Sequence, residues 1–214
     1  MILTYLGHSC FKIQDKTGTD GVTVLTDPFS FFDGFKKPSL EADIVTIGHD
    51  KFNEIDLQKL RKQPFVVNEA GEFDVKGILV EGIDASKKEE GKEKYNKELL
   101  YRIEVEDVSI AHLGNLSHVL DSKHLDHLNR IDILLVPVGG NGVLDASKAA
   151  ELVSLIEPRM VIPMYYNSAD LKQADSLEKF IKEIGLKPTY EEEKLKINKK
   201  DLPQEDMELV IIKN

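Results

Sequence analysis

Apolar and polar positions along the chain change their period part-way. Up to about residue 112 the apolar residues fall in short runs rich in β-branched and aromatic types: 2–6, 11–14, 22–26, 44–48, 65–68 and 73–81. Leu100–Val105 and Val108–His112, separated by Glu106-Asp107, predict a hairpin with a two-residue turn. Pro28 ends one run by withdrawing a donor, and Gly48 permits a sharp turn after another. Beyond residue 115 helical and extended periods alternate. Helices are predicted over 118–129, over 146–156 with Asp145 as its cap, and from about 175 to a stop at Gly185. Strands are predicted at 131–137, 160–163 and 207–213. The run Ile131-Asp132-Ile133-Leu134-Leu135-Val136-Pro137 is almost continuously apolar, as expected of a sheet covered on both faces. The fold class is therefore α/β, with two sheets packed face to face and helices outside them.

Length and composition fit a single domain over 1–214. At 41% hydrophobic and 31% charged residues, the chain can bury a core without disulfides. Its one cysteine, Cys10, excludes an intrachain disulfide, suits a reducing cytoplasmic location and reads as a small apolar core residue. No run approaches the roughly 18 apolar residues of a membrane span, and the first residues read as a strand and not a signal peptide. A formal charge of −10 disfavours nucleic acid as a partner. The Lys- and Glu-rich segment 84–98 is expected to be a long surface loop. Homo-oligomerisation stays open.

Six predicted strand ends carry polar or glycine clusters: Gly7-His8-Ser9, Thr26-Asp27-Pro28, Gly48-His49-Asp50, His112-Leu113-Gly114-Asn115, Gly139-Gly140-Asn141 and Pro163-Met164-Tyr165. Six such ends in one short chain predict a shared functional cavity, though not a reaction.

Leu6-Gly7-His8-Ser9-Cys10-Phe11, Thr26-Asp27-Pro28-Phe29, Val136-Pro137-Val138-Gly139-Gly140 and Val161-Ile162-Pro163-Met164 resemble, in order, the metal-dependent hydrolases of the metallo-β-lactamase superfamily. Within it they are most similar to the branch of L-ascorbate-6-phosphate lactonase-like proteins. The resemblance implies an αββα sandwich with one or two zinc, manganese or iron ions at the edge shared by the sheets. It also implies a His-x-His-x-Asp-His signature after a strand. Here that stretch is His49-Asp50-Lys51-Phe52-Asn53-Glu54, which keeps only its first histidine. By the same resemblance, other ligand positions fall on Lys87, Asn115 and Tyr165.

A lysine ammonium has no lone pair, and asparagine lacks the charge that helps retain a dication. An isolated tyrosine is a poor zinc ligand near pH 7. His49 and Glu54 leave two ligands where zinc sites use three or four. No metal and no other cofactor is expected. The expected pocket comprises His49, Lys51, Asn53, Glu54, Lys87, Asn115 and Tyr165, in a Lys–Glu–Asn network that would favour a small anionic ligand. His8, Asp27, His112 and His118 are expected beside it in structural or pocket-lining roles. His124-Leu125-Asp126-His127 mimics the end of the metal signature, but lies in a helical pattern where a solvated face is the simpler reading.

The expected function is a hydrolase homologue that has lost zinc-dependent activity and binds a small anion or a partner. The alternatives are an active hydrolase, with an unconventional metal or a Lys or Glu base, and a scaffold without any pocket ligand.

Overall fold

The computed structural model describes residues 1–16, 21–28, 40–49, 60–87, 97–168 and 171–213. Strands β1 (Ile2–Gly7), β2 (Cys10–Gln14), β3 (Thr23–Thr26), β4 (Ile44–Thr46) and β5 (Phe65–Val67) follow the short apolar runs. The run at 73–81 is two strands rather than one, β6 (Gly71–Val75) and β7 (Ile78–Asp84). Lys76 and Gly77, at φ 56° and 81°, turn the chain back between them. Strands β8 (Leu99–Val105) and β9 (Val108–His112) form the predicted hairpin, with Glu106 and Asp107 at φ 51° and 61°. Two left-handed residues make a turn that matches the twist of its strands, without the favoured Asn-Gly pair.

The second half runs α1 (Ser122–His127), β10 (Ile133–Pro137), α2 (Ala146–Ile156), β11 (Met160–Met164) and α3 (Leu177–Ile184). Helix α1 is half the predicted length. Asp121 caps it by accepting the His124 amide, so residues 118–120 remain outside. Then come β12 (Pro188–Glu192), β13 (Lys194–Lys196) and β14 (Glu208–Ile212). The sequence pattern misses β12 and β13 because their side chains are mostly charged and exposed.

The strands form a six-stranded sheet, β13-β1-β2-β3-β4-β5, and an eight-stranded sheet, β12-β14-β11-β10-β9-β8-β7-β6. Leu3, Phe11, Ile13 and Val24 of the first meet Val80, Ile103, Ile110, Leu135 and Ile162 of the second in a common core. On the outer side of the second sheet, Leu134, Val136 and Val161 are covered by Leu152, Val153 and Phe180 from the helices. A third apolar cluster covers the outer side of the first sheet, where Cys10, Leu25, Val45 and Ile47 meet Ala42 and Leu60. Cys10 is fully buried, as its apolar reading requires.

Strands β9, β10 and β11 are parallel. Their carboxyl ends therefore lie along one edge, with the chain reversals after β3 and β4 brought to it from the other sheet. Asp132, at the opposite ends of β9 and β10, has a different task. It accepts the Ser109 amide at 2.9 Å and Lys199 Nζ at 2.6 Å, tying connections together where no strand-end cluster lies.

Candidate functional site

Backbone geometry gathers the strand ends. After β3, Asp27 adopts a left-handed conformation (φ 39°) and turns its side chain inward, where it is fully buried. Its Oδ1 accepts the Gly48 amide at 2.7 Å, joining the exits of β3 and β4. Glycine is required at 48, since a Cβ there would stand 2.8 Å from the Leu99 carbonyl oxygen. Across the sheets, His112 Nε2 lies 2.7 Å from the Ser9 carbonyl, at the exit of β9. At the exit of β11, the Tyr165 amide donates to the His8 carbonyl at 2.9 Å and to the Tyr5 hydroxyl at 3.1 Å. His8 and Tyr165, both at positive φ, set their rings edge to face at 5.6 Å. Gly139 lets Tyr165 come this close: a Cβ at 139 would fall 1.9 Å from the Tyr165 carbonyl oxygen.

The electrostatics follow from burial. It pushes the Asp27 carboxyl up to about 7, with the Gly48 amide and the nearby Ser9 hydroxyl opposing. It lowers His112 to about 4, with the bond to the Ser9 carbonyl opposing. His112 is therefore neutral, with its proton on Nε2 facing that carbonyl. Burial also raises Tyr165 above the ordinary phenol range, so it is a neutral hydroxyl.

His49 lies in this cluster, buried, just after Gly48. It is bridged through its backbone to Glu98, and the Leu99 amide donates to the Gly48 carbonyl at 2.8 Å. Asn115 is half-buried in the turn after β9. Lys87 is exposed, three residues beyond the end of β7 and next to Ser86, whose hydroxyl accepts the Glu98 amide. Lys51, Asn53 and Glu54 lie outside the described residues. Of the expected pocket and its neighbours, the strand-end geometry brings together His8, Asp27, His49, His112, Asn115 and Tyr165.

Glu98 and Ser117 are polar groups that the sequence reading does not single out. The segment 84–98 was expected to be surface loop, yet the Glu98 side chain is only 14% exposed and contacts both Ser117 and His118. The available signal was its position, immediately before the apolar run that becomes β8. His124 and His127 belong elsewhere. His124 Nδ1 meets Asp121 at 2.6 Å and His127 Nδ1 meets Glu81 at 2.7 Å, on the helix surface.

Among the described residues, no three His, Cys, Asp or Glu side chains converge as a group that could hold a metal ion. Asn115, Tyr165 and exposed Lys87 are weak or incapable metal ligands. The described donor set does not fit a metal ion of the usual kind.

The model of the "Beta-lactamase superfamily domain" matches residues 2–165. The chain belongs to the metallo-β-lactamase superfamily. It is 30% identical over 203 residues to a UPF0173 metal-dependent hydrolase of Lysinibacillus sphaericus, covering 78% of this chain and 86% of the relative. Another UPF0173 metal-dependent hydrolase, from Thermoplasma acidophilum, is 29% identical over 210 residues, covering 86% and 91%. A solved structure of a metallo-beta-lactamase superfamily protein from Thermotoga maritima superposes with a TM-score of 0.79 at 27% identity. That match covers 99% of this chain and 98% of the other. The αββα fold expected from the motifs is thus the fold of this superfamily member.

Proposed function

We propose that this superfamily member has exchanged its metal site for a polar pocket that binds a small anion, and that it lacks zinc-dependent hydrolase activity. One observation carries the reading. Where metal-dependent relatives would need ligands, the family resemblance sets Asn115, Tyr165 and Lys87, none of them a strong metal ligand. Lysine charge at these positions, with Lys51 in the signature stretch, replaces some of the positive charge that ions would supply. It favours a phosphate ester or carboxylate. The bonds that join strand ends, Gly48 amide to Asp27 and Tyr165 amide to His8, support a shared edge on which such a pocket would form.

The test is metal content. Protein purified without a metal-binding tag is incubated with zinc, manganese or iron, dialysed, and analysed by elemental mass spectrometry. Less than about a tenth of an equivalent is expected in every sample. One or more tightly held equivalents overturns the reading. The similarity to proteins named metal-dependent hydrolases supports the second reading, an active enzyme on phosphoester or lactone substrates. Stoichiometric metal together with turnover of such substrates would establish it.

A further inference from the structure

Away from the strand-end edge, two open sheet faces carry opposite charge. Side chains alternate across β6, β7 and β8, so Phe73, Val80 and Ile103 turn to the common core. Their outer face carries two cross-strand rows, Glu72–Glu81–Arg102 and Asp74–Leu79–Glu104. These six residues line a concavity of about 440 Å³, and Leu79 is 49% exposed within it. Four carboxylates there face one guanidinium. Arg102 pairs with Glu104 at 3.1 Å and His127 with Glu81 at 2.7 Å, whereas Glu72 and Asp74 meet no cation among the described residues.

The other face belongs to β13, β1 and β2. Leu195, Leu3 and Ile13 turn inward, which leaves the rows Lys196–Ile2–Gln14 and Lys194–Thr4–Lys12 on the outside. Lys194 and Lys196 are exposed, and none of the three lysines forms a contact ion pair among the described residues. Burial and the Lys194 ammonium lower the Lys12 pKa, with Glu41 opposing. Positive charges therefore repel one another here, and carboxylates from outside would relieve them.

The two faces match in shape as well as in charge. Each is three strands wide and two rows deep, so both repeat at about 4.8 Å across the strands and about 7 Å along them. An aliphatic side chain, Leu79 or Ile2, sits on the central strand of each. We infer that this chain self-associates head to tail, the outer face of β6–β8 in one copy stacking on the outer face of β13, β1 and β2 in the next. The faces lie on different sheets and at opposite flanks. Phe65 of β5 and Phe73 of β6 approach to 6.1 Å and mark one flank, while β13 is the strand farthest from β5 in its sheet. One copy cannot turn both faces to the same neighbour, so the contact builds a ring or a chain and not a two-fold dimer. The net charge of −10 opposes association at long range, but physiological salt screens it beyond roughly 8 Å, and the facing groups meet inside that distance. Neither face includes a strand-end cluster, and association does not depend on the anion reading.

Sedimentation velocity of the full chain, from micromolar to near-millimolar concentration, is the test. At low salt the mean mass is expected to rise with concentration above that of one chain, and high salt to weaken association by about tenfold. Lys194→Glu with Lys196→Glu reverses the basic face, and Glu72→Lys with Leu79→Lys reverses the acidic one. Each double variant is expected to remain a single chain. An equimolar mixture of the two regains association, because each still carries the face that the other has lost, and this result also shows that both are folded. Should either double variant unfold, Lys196→Glu and Leu79→Lys alone are expected to weaken self-association at least about tenfold. A wild-type chain that stays monomeric overturns the inference and leaves the two faces to other partners. Self-association that survives in both variants overturns it as well, and so does a mixture of folded variants that stays monomeric.

Discussion

Asp27 Oδ1 and the Gly48 amide, 2.7 Å apart, join the exits of two parallel strands through one fully buried carboxyl. Gly114 comes close on the other side, where a Cβ would lie 3.3 Å from Asp27 Oδ2. The carboxyl is thus enclosed by backbone from both sheets. Burial raises its pKa from 3.8 to about 7. Between those values the folded chain holds a proton that the unfolded chain has released, so this group makes stability fall as pH rises. His112 opposes it: its folded pKa is lowered from 6.5 to about 4, so its contribution grows as pH rises through that interval. Asp27→Asn removes the first slope and exposes the second. Denaturant midpoints for the variant, relative to wild type, should climb more steeply between about pH 4 and 6.5. Parallel profiles would show that Asp27 titrates normally.

Gly139→Ala places a methyl 1.9 Å from the Tyr165 carbonyl oxygen, a backbone atom that cannot simply rotate away. The loop must shift, at a cost of about 1–3 kcal/mol or more. Chemical denaturation measures the loss. An unchanged midpoint would mean that the Tyr165 turn yields freely.

Asp132 is nearly buried and held by Lys199, the Ser109 amide and hydroxyl, and Arg159 at 3.6 Å. Burial alone would raise its pKa, but the Lys199 ammonium and the Ser109 bonds outweigh it and hold the carboxyl below the usual range. Its contribution is therefore present above the ordinary aspartate pKa and is lost as pH falls through the depressed folded value. Asp132→Ala should cost about 1–3 kcal/mol at neutral pH, chiefly from the orphaned Ser109 groups. The difference from wild type should shrink in acid. Anion binding, at the other end of the strands, should not change.

Replacing Lys51 and Lys87 together by alanine should weaken phosphate binding at least about tenfold, and raising ionic strength should weaken the wild type in the same direction. Calorimetry on folded double variant decides it. Undiminished affinity would remove the lysines from the pocket.

Much of the architecture was legible in the chain. Short β-branched runs marked β1–β5, the near-continuous apolar run at 131–137 marked a strand covered on both faces, and Asp145 and Gly185 marked helix ends. These signals are local, since each reflects the period with which one segment buries its own side chains. The turn at Lys76-Gly77 was masked by apolar residues on both sides, and β12 and β13 by their charge. Those two strands exist because Leu195 opposes Leu3, and Tyr190 opposes Val210, across pairs that no local pattern encodes.

For the site, the sequence alone determined the residue types at the six strand ends, including Asn115 and Tyr165. It could not determine which of those groups meet. Asp27 and Gly48 are 21 residues apart, His112 and Ser9 are 103 apart, and Tyr165 and Tyr5 are 160 apart. Only the packing of the two sheets brings them to one edge. Glu98 shows the limit most clearly. In the chain it is one more acid in a charged stretch, and in the fold it is buried against His118. Its meaning comes from desolvation and from a partner 20 positions away, and neither is a property of the local sequence.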